Sequence, residues 1–264
     1  LADFLCKNLN LWVKNTDDQF IDPDAWKACG TKRKLTDIVA AGYRDCWVGL
    51  DLSSGGDLTT MALEFPLPGG KYYLYTHSFM PRGRIAEHIE TDLAPYDLWE
   101  QMDLITVTGG EMDFMNDYKF IISHLQEIKD HYGLNFLGIG IDPHNAAGVM
   151  QDLETFGCPV ATITQSARSL NDATVAIQLL TKGRQLEYDQ SNELLTWSMV
   201  NAAVVRNSFE EIKVDKKPGA RFKRIDPVDA VIDAHALMLI TTGGAAAPDV
   251  SADLDDYLAM MGWA

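Results

Sequence analysis

Short apolar runs alternate with helical periodicities along most of the chain. Apolar segments at 46–52, 58–65 and 72–80 are separated by turn residues and predict three strands of an antiparallel meander. Helical spacing follows from residue 82 and is clearest over 118–132, where apolar side chains recur on one face. Apolar runs at 136–141 and 159–164 then predict two strands joined by a helix, an alternation that is typical of a parallel sheet.

The second half of the chain is mainly helical in pattern. Helices are predicted at 145–156, 169–182 and 190–200, then an irregular hairpin or loop over 201–224, and a final helix from Asp226 to about 240. We therefore expect an α/β fold in which helices flank a mixed sheet of five or more strands, an antiparallel meander plus parallel strands. The expected domains are a connector at 1–44, a folded domain at 45–241 and an acidic tail at 242–264.

Composition excludes several classes of protein. No run of 18 or more apolar residues is present, so we expect no membrane partner. The four cysteines are scattered, which predicts free thiols in a reducing cytoplasm rather than a disulfide scaffold or a zinc site. The chain begins at Leu1 without the basic and apolar pattern of a secretory signal, and we interpret it as a fragment of a longer polypeptide.

The charge is strongly negative but unevenly distributed. With 38 acidic and 22 basic residues the formal net charge is -16, which on its own argues against a nucleic-acid partner. Residues 85–130 contain eleven acids and two bases, whereas residues 206–224 contain seven bases and three acids. A locally basic segment therefore permits contact with phosphates, with weak binding by the isolated chain.

Three acidic residues occupy positions where α/β sheets place functional groups. Asp51 ends the first predicted strand, Asp142 follows the fourth, and Asp226 begins the last helix. Converging carboxylates repel one another unless a cation neutralises them, so the three together predict a site for hard divalent metals such as Mg²⁺ or Mn²⁺. Two such ions, about 3.5 to 4 Å apart, can activate water and stabilise the leaving oxygen of a phosphodiester.

Structural alternatives exist for each of these acids and their neighbours. Asp142 before Pro143 is also a good helix cap, as is Asp226 before Pro227. Asp229 and Asp233 share a helical face with Asp226, and spacing alone does not say which of them reaches a metal. The remaining polar residues near the cluster have structural interpretations: Asp57 as a turn residue, and His144 and His235 as hydrogen-bonded polar residues, with His144 kept as an assisting group.

The order of these motifs resembles the ribonuclease H-like nucleases, and more specifically the nuclease domain of tailed-phage terminase large subunits. The similarity covers nearly the whole chain up to about residue 239, including a segment at 9–13 and 26–29 that resembles the family's link between ATPase and nuclease. It is carried by Gly49-Leu50-Asp51-Leu52-Ser53-Ser54 with Asp57-Leu58-Thr59, Ile141-Asp142-Pro143, Leu195-Thr196-Trp197 with Asn201, and Lys216 followed by Arg224-Ile225-Asp226 with Ala230.

The resemblance implies a metal-dependent endonuclease that cuts double-stranded, concatemeric viral DNA during genome packaging. It favours Asp51, Asp142 and Asp226 as catalytic metal ligands for two Mg²⁺ or Mn²⁺ ions, with Asp51 bridging both ions and Asp229 as an auxiliary group. The implied partners are an upstream ATPase domain of the same polypeptide, the small terminase subunit and the capsid portal. The implied location is the host cytoplasm, at the procapsid. No phosphate loop of a packaging ATPase occurs within these residues.

The basic segment supplies candidate contacts for the DNA backbone, with a solvated loop as the structural alternative. These candidates are Lys213, Lys216, Lys217, Arg221, Lys223 and Arg224. Two other functions remain open. Residues 51–57 loosely resemble the first phosphate loop of actin-like and sugar-kinase ATPases, although no repeated lobe is present. A catalytically silent DNA-binding or motor-docking module is the third possibility.

Overall fold

A computed structural model of the chain describes residues 19–53, 58–216 and 223–243. Asp57, Lys217 and Arg221 therefore lie outside the described residues, as do 1–18 of the predicted connector and 244–264 of the predicted tail. The described strands are β1 Gly30–Thr31, β2 Asp45–Asp51, β3 Thr59–Leu67, β4 Lys71–Pro81, β5 Ile105–Thr108, β6 Asn135–Ile141, β7 Val160–Thr162, β8 Leu186–Asp189, β9 Ala202–Arg206 and β10 Ile212–Lys216.

Helices cover most of the remaining residues. The described helices are α1 Pro23–Cys29, α2 Leu35–Ala40, α3 Arg82–Asp92, α4 Tyr96–Gln101, α5 Tyr118–Tyr132, α6 Pro143–Ala146, α7 Met150–Glu154, α8 Ala167–Lys182, α9 Glu193–Asn201 and α10 Asp226–Thr241. α5 ends at Gly133 in the left-handed conformation, which glycine adopts without steric cost.

The strands form one mixed sheet and a separate hairpin. The order in the sheet is β1-β8-β4-β3-β2-β6-β7, and β5 pairs with β4 beyond the end of β8. β2, β3 and β4 are the antiparallel meander, while β6 runs parallel to β2 and β7 parallel to β6. This arrangement confirms the predicted mixed sheet flanked by helices. β9 and β10 form the antiparallel hairpin.

Helices cover both faces of the sheet. On one face α1, α8, α9 and α10 bury a cluster that includes Trp26, Ile177 and Val231. On the other face α2, α5 and α7 cover a second cluster that includes Ile38 and Leu125. Burial of this apolar surface on both sides is the main term that holds the layers together.

Helix α10 lies directly against the middle of the sheet. Gly49 of β2 and Gly140 of β6 are neighbours in register, and both face this helix. A Cβ on Gly49 would overlap the carbonyl oxygen of Ala230, and one on Gly140 would come within 2.9 Å of the carbonyl oxygen of Asp233. Two strands without side chains at this point therefore let the first half of α10 approach the backbone of the sheet.

A buried polar pair fixes the second half of the same helix. His235 Nδ1 lies 2.7 Å from Glu64 Oε1 of β3, and both residues are buried. The ring of Tyr72 packs edge-on against His235, with 5.7 Å between ring centroids. His235 is thus engaged within the core, as expected for a hydrogen-bonded polar residue.

Several short elements differ from those predicted. β5, β8 and β1 were not expected, because strands of two to four residues are too short to show a period. The helix predicted at 145–156 is two helices, α6 and α7, interrupted near Gly148. Part of the predicted irregular segment 201–224 is the regular β9–β10 hairpin.

The described part of the predicted connector belongs to the packed core. Phe20 and Trp26 are buried, the Trp26 ring stacks on Tyr188 at 4.2 Å between centroids, and β1 pairs with β8. The boundary predicted after residue 44 therefore does not coincide with a break in packing. Within the described residues, none of the helices combines the length and apolar content needed to cross a membrane.

Candidate active site

Two neighbouring parallel strands end in acidic residues at the same edge of the sheet. Leu50 of β2 and Ile141 of β6 are partners in register, so Asp51 and Asp142 follow side by side. Asp142 also caps α6, because its Oδ1 accepts a hydrogen bond of 2.9 Å from the backbone amide of His144. Asp142 is therefore a helix cap, as the structural alternative predicted, and capping uses one of its two carboxylate oxygens. The residue also lines the cleft described next.

Helix α10 adds three further carboxylates at this edge. Asp226 is the first residue of this helix and is only 8 % exposed. The N-cap is Ile225, so the alternative in which Asp226 caps the helix is wrong. Asp229 and Asp233 follow on the same side of the helix. Together with Asp51 and Asp142 they line a cleft of about 200 Å³. The cleft is thus lined by two of the three predicted ligands, Asp51 and Asp142, and by both acids that spacing left undecided. Asp226 is not among the described residues that line it, but its charge acts on Asp51 and Asp229.

The pKa values of these acids are raised by burial and by their proximity to one another. Burial raises the pKa of Asp51 well above its ordinary value, and the charges of Asp226, Asp229, Asp233 and Asp142 raise it further. Burial also raises the pKa of Asp229, followed by the charges of Asp226 and Asp233. Without a cation, the cluster therefore holds protons that isolated carboxyl groups would have lost.

Asp233 is the most deeply buried acid of the group. Burial raises its pKa to about 8, and the charge of Asp142 adds to this, while a hydrogen bond from Gln165 opposes it. Gln165 Nε2 donates to Asp233 Oδ1 at 2.9 Å. Asp233 Oδ2 is buried and accepts no hydrogen bond within the described residues. Gln165 was missed in the sequence, although it follows β7 at the carboxyl end of a parallel strand.

Strand β10 provides basic groups on the opposite wall of the cleft. Lys213 and Lys216 line it together with Asp215, and their charges lower the pKa of Asp229 against the larger effect of burial. Lys213 Nζ also donates to the carbonyl oxygen of Gln165 at 3.4 Å. Two of the six predicted DNA-binding residues therefore lie beside the carboxylates.

Two other predicted DNA-binding residues are placed differently. Lys223 is half-buried in the segment that leads into α10. Arg224 is only 8 % exposed, and its guanidinium is bonded to Asp92 rather than directed to solvent. A phosphate cannot reach a guanidinium that is buried and already paired, so Arg224 is removed from the set of DNA-contacting residues. His144 is exposed and contributes only its backbone amide to the interaction with Asp142.

The donor set is suited to hard divalent cations. Carboxylate oxygens are the ligands that Mg²⁺ and Mn²⁺ prefer. Burial and, after it, the charges of four neighbouring carboxylates raise the pKa of Asp51, and a bound cation would oppose both effects. The buried Asp233 Oδ2 is a further unused acceptor. Among the described residues no three acidic, histidine or cysteine side chains already form a closed ligand set.

The fold and the site together define a class of protein. An antiparallel meander, parallel strands that end in acids, and a late helix that brings further carboxylates to the same edge are the arrangement of ribonuclease H-like nucleases. The order of the strands in the sheet follows this arrangement.

Comparison with known proteins identifies the family. Residues 1–241 match the family model for the terminase large subunit, endonuclease domain, and the chain belongs to this family. The terminase large subunit of Enterobacteria phage HK97 is 25% identical over 257 residues, which cover 96% of this chain and 47% of that protein. The chain thus spans about half the length of this curated relative.

Solved structures show the same fold. The crystal structure of the HK97 large terminase superposes with a TM-score of 0.70 and 24% identity, covering 89% of this chain and 46% of that one. The large terminase nuclease from thermophilic phage G20c, with bound magnesium, superposes with a TM-score of 0.53 and 11% identity, covering 84% of this chain and 98% of that one. The second match spans nearly all of a separate nuclease domain.

Proposed function

We propose that this chain is a divalent-metal-dependent endonuclease that hydrolyses phosphodiester bonds of double-stranded DNA, and that it cuts viral concatemers during genome packaging. Membership in the terminase nuclease family supports the reaction class. The observation that carries the proposal is the convergence of Asp51, Asp142, Asp229 and Asp233 on one cleft, with Lys213 and Lys216 beside them. The charge of Asp226 acts on both Asp51 and Asp229.

Asp51, Asp142 and Asp226 would hold two Mg²⁺ or Mn²⁺ ions, with Asp229 and Asp233 within the same cluster. When bound, such ions lower the pKa of a coordinated water and neutralise charge that develops on the phosphodiester. A magnesium-bound nuclease among the structural matches supports this choice of metal. Asp51 is within electrostatic reach of all four other acids, since the charge of each raises its pKa.

The residues of the chain have distinct tasks around the phosphodiester. The carboxylates repel a DNA phosphate until they are neutralised, so substrate cannot settle in the cleft without cations. Lys213 and Lys216 offer ammonium groups on the opposite wall, where they would bind phosphate oxygens without reading base sequence. Gln165 fixes the buried Asp233 by donating to Oδ1.

The proposed partners follow from family membership and from the part of the protein represented. Because the chain spans 47% of the HK97 terminase large subunit, we propose that an ATPase domain precedes it in the same polypeptide. The small terminase subunit and the capsid portal would be further partners, at the procapsid in the host cytoplasm. With a net charge of -16, the chain alone is expected to bind DNA weakly and to depend on the motor to hold it.

A plasmid-cleavage assay tests the proposal. The 264-residue chain is expected to nick and linearise supercoiled DNA with Mn²⁺ or Mg²⁺ and to be inactive in EDTA. Asp51→Asn should lower the rate by at least about 100-fold, because it removes the central ligand. Asp130→Asn, at an exposed acid of α5, is the matched control and should retain the rate. Cleavage in EDTA, or undiminished cleavage by Asp51→Asn, would refute the proposal.

ATP binding distinguishes the other function considered. An actin-like or sugar-kinase ATPase would bind ATP with Mg²⁺ in calorimetry, whereas this chain is expected to show no heat of ATP binding. The terminase nuclease family match over residues 1–241 favours the nuclease. A silent docking module would bind DNA without cutting it under any metal condition.

A further inference from the structure

A buried polar cluster lies immediately before helix α10. Its centre is Arg224, in the extended segment that enters the helix two residues before Asp226. Arg224, Asp92 and His88 are all buried, at 8 %, 8 % and 5 % exposure. Buried charges of this kind are costly unless they are paired and hydrogen-bonded, so their contacts decide what the cluster does.

The contacts of the guanidinium are specific. Arg224 Nε donates to Asp92 Oδ2 at 3.0 Å, and Arg224 Nη2 lies 3.0 Å from His88 Nδ1. A guanidinium can only donate, so this ring nitrogen accepts. Asp92 Oδ2 also accepts from the hydroxyl of Tyr96 at 2.7 Å, and Asp92 Oδ1 from Thr91 at 3.0 Å. Both oxygens of the buried carboxylate are therefore satisfied.

The pKa of Asp92 agrees with a permanent ion pair between Asp92 and Arg224. Burial raises the pKa of Asp92, but its contacts with His88, Tyr96 and Arg224 and the charge of Arg224 outweigh it, so the pKa of Asp92 lies below its ordinary value. Burial raises the pKa of Tyr96, followed by the charge of Asp92, and the charge of Asp226 contributes as well. The Asp226 carboxylate is thus within electrostatic reach of the cluster.

The cluster connects the start of α10 to elements that contribute no acid to the cleft. Asp92 is the last residue of α3 and Tyr96 the first of α4. Ile225, between Arg224 and Asp226, is the N-cap of α10, and its carbonyl oxygen accepts from the amides of Val228 at 2.7 Å and Asp229 at 3.0 Å. The backbone that anchors Arg224 therefore also sets the first turn of the helix.

We propose that Arg224 is a positioning residue, which through its bonds to Asp92 and His88 fixes the backbone entry into α10 and so holds the Asp226 carboxylate where a divalent cation can bind it. Arg224 touches neither the cation nor the DNA. The inference rests on the proposed nuclease function, because it concerns the metal affinity of that site. It gives Arg224 a role different from the DNA contact expected from its position in the basic segment.

The test measures metal affinity and DNA binding separately. Mn²⁺ binding to the 264-residue chain is measured by calorimetry, at a temperature below unfolding, for the wild type, Arg224→Lys and Asp92→Asn. Lysine keeps the charge but cannot bond to Asp92 and His88 in the same geometry. Asp92→Asn removes the negative charge of the residue on α3 that pairs with Arg224. This variant provides the test if Arg224→Lys does not fold. DNA affinity is measured in parallel as a function of salt.

Arg82→Lys is the matched control. Arg82 forms a two-bond ion pair with Glu100, at 3.1 and 2.6 Å, which ties the same two helices, α3 and α4, to each other but not to α10. This substitution makes the same chemical change, arginine to lysine, at another ion pair of helix α3. It should leave the dissociation constant for Mn²⁺ within about twofold of the wild type, because the entry into α10 is untouched.

The expected result is a dissociation constant for Mn²⁺ that rises about 10-fold in Arg224→Lys and Asp92→Asn, with the salt dependence of DNA binding unchanged. Wild-type Mn²⁺ affinity in both variants would overturn the inference, as would a reduced salt dependence in Arg224→Lys at unchanged Mn²⁺ affinity. A wild-type chain that binds Mn²⁺ but does not cleave would refute the proposed function alone. A wild-type chain that binds no Mn²⁺ would refute both.

Discussion

Gly49 of β2 lies against Ala230 of α10 so closely that a Cβ on the glycine would overlap the alanine's carbonyl oxygen. This contact is two residues before Asp51 on the strand and four residues after Asp226 on the helix. The distance between strand and helix at this point therefore controls how near the two carboxylates can come. A single missing side chain brings together acids that are 175 positions apart in the chain.

Gly49→Ala should destabilise the chain by about 3 kcal/mol or more, because backbone rather than a flexible side chain stands in the way of the new methyl group. Chemical denaturation measures the change. Gly148→Ala is the control, since its Cβ would meet only the Tyr118 ring at 4.0 Å. If Gly49→Ala unfolds at the same denaturant concentration as Gly148→Ala, the close packing of α10 on β2 is wrong.

Asp51→Asn should stabilise the metal-free chain while it abolishes cleavage. Burial and four neighbouring acids raise the pKa of Asp51, so its charged form opposes folding, and asparagine removes that charge at nearly constant volume. At pH 8 in EDTA we expect a gain of about 1 to 3 kcal/mol in the free energy of unfolding. A loss of stability on this substitution would mean that Asp51 carries a structural hydrogen bond instead.

The pH dependence of stability should reflect Asp233. The folded state keeps a proton on this group up to about pH 8, because burial raises its pKa, whereas the unfolded chain loses it near the ordinary pKa of 3.8. The folded state therefore binds more protons between these values, and stability falls as the pH rises from about 4 to 8, by a few kcal/mol in EDTA. Asp233→Asn should flatten this fall in denaturation curves, and an equally steep fall in the variant would contradict the assignment.

Divalent cations should restore the stability that is lost on raising the pH. A cation competes with protons for the same carboxylates, so Mn²⁺ should raise the melting temperature more at pH 8 than at pH 5. Thermal unfolding with Mn²⁺ and with EDTA at both values measures this difference. Asp226→Asn should reduce the shift at pH 8. A shift that does not depend on pH would place the cation outside the carboxylate cluster.

Lys213→Ala and Lys216→Ala should weaken DNA binding without changing the fold. Each lysine lines the cleft beside the carboxylates, and the loss of one phosphate contact should reduce the salt slope of the binding constant by about 1. Lys182→Ala is a suitable control, because this exposed residue ends α8, the helix that begins just after Gln165. A salt slope that is equal in all three variants and the wild type would remove the hairpin from the DNA-binding surface.

The main strands and the positions of the acids could be predicted because they depend on local patterns. β2, β3, β4 and β6 are long enough to show continuous apolar runs, and parallel strands that end in acids lead directly to the edge where Asp51 and Asp142 meet. The three acids of α10 were also visible as one helical face. The spacing of these acids did not show how deeply each side chain is buried, because burial depends on the sheet beneath the helix.

Arg224 shows why the remaining interactions could not be predicted. In the sequence it is the last of seven bases in a segment that suggested a phosphate-binding surface. Its partner Asp92 is 132 positions away, at the end of a different helix. The net charge of a segment follows from its composition alone. Whether a given charged side chain is exposed to solvent or paired with a buried partner depends on tertiary packing. Gln165 was missed for the same reason.

The outer strands of the sheet have a consequence for association between copies of the chain. In the larger sheet, the described strands at an edge are β1, β5 and β7, with two, four and three residues. Such short edges offer few unpaired backbone groups to a neighbouring chain, and a net charge of -16 adds mutual repulsion. Copies crowded together would therefore resist aggregation through strand pairing at the edges of this sheet.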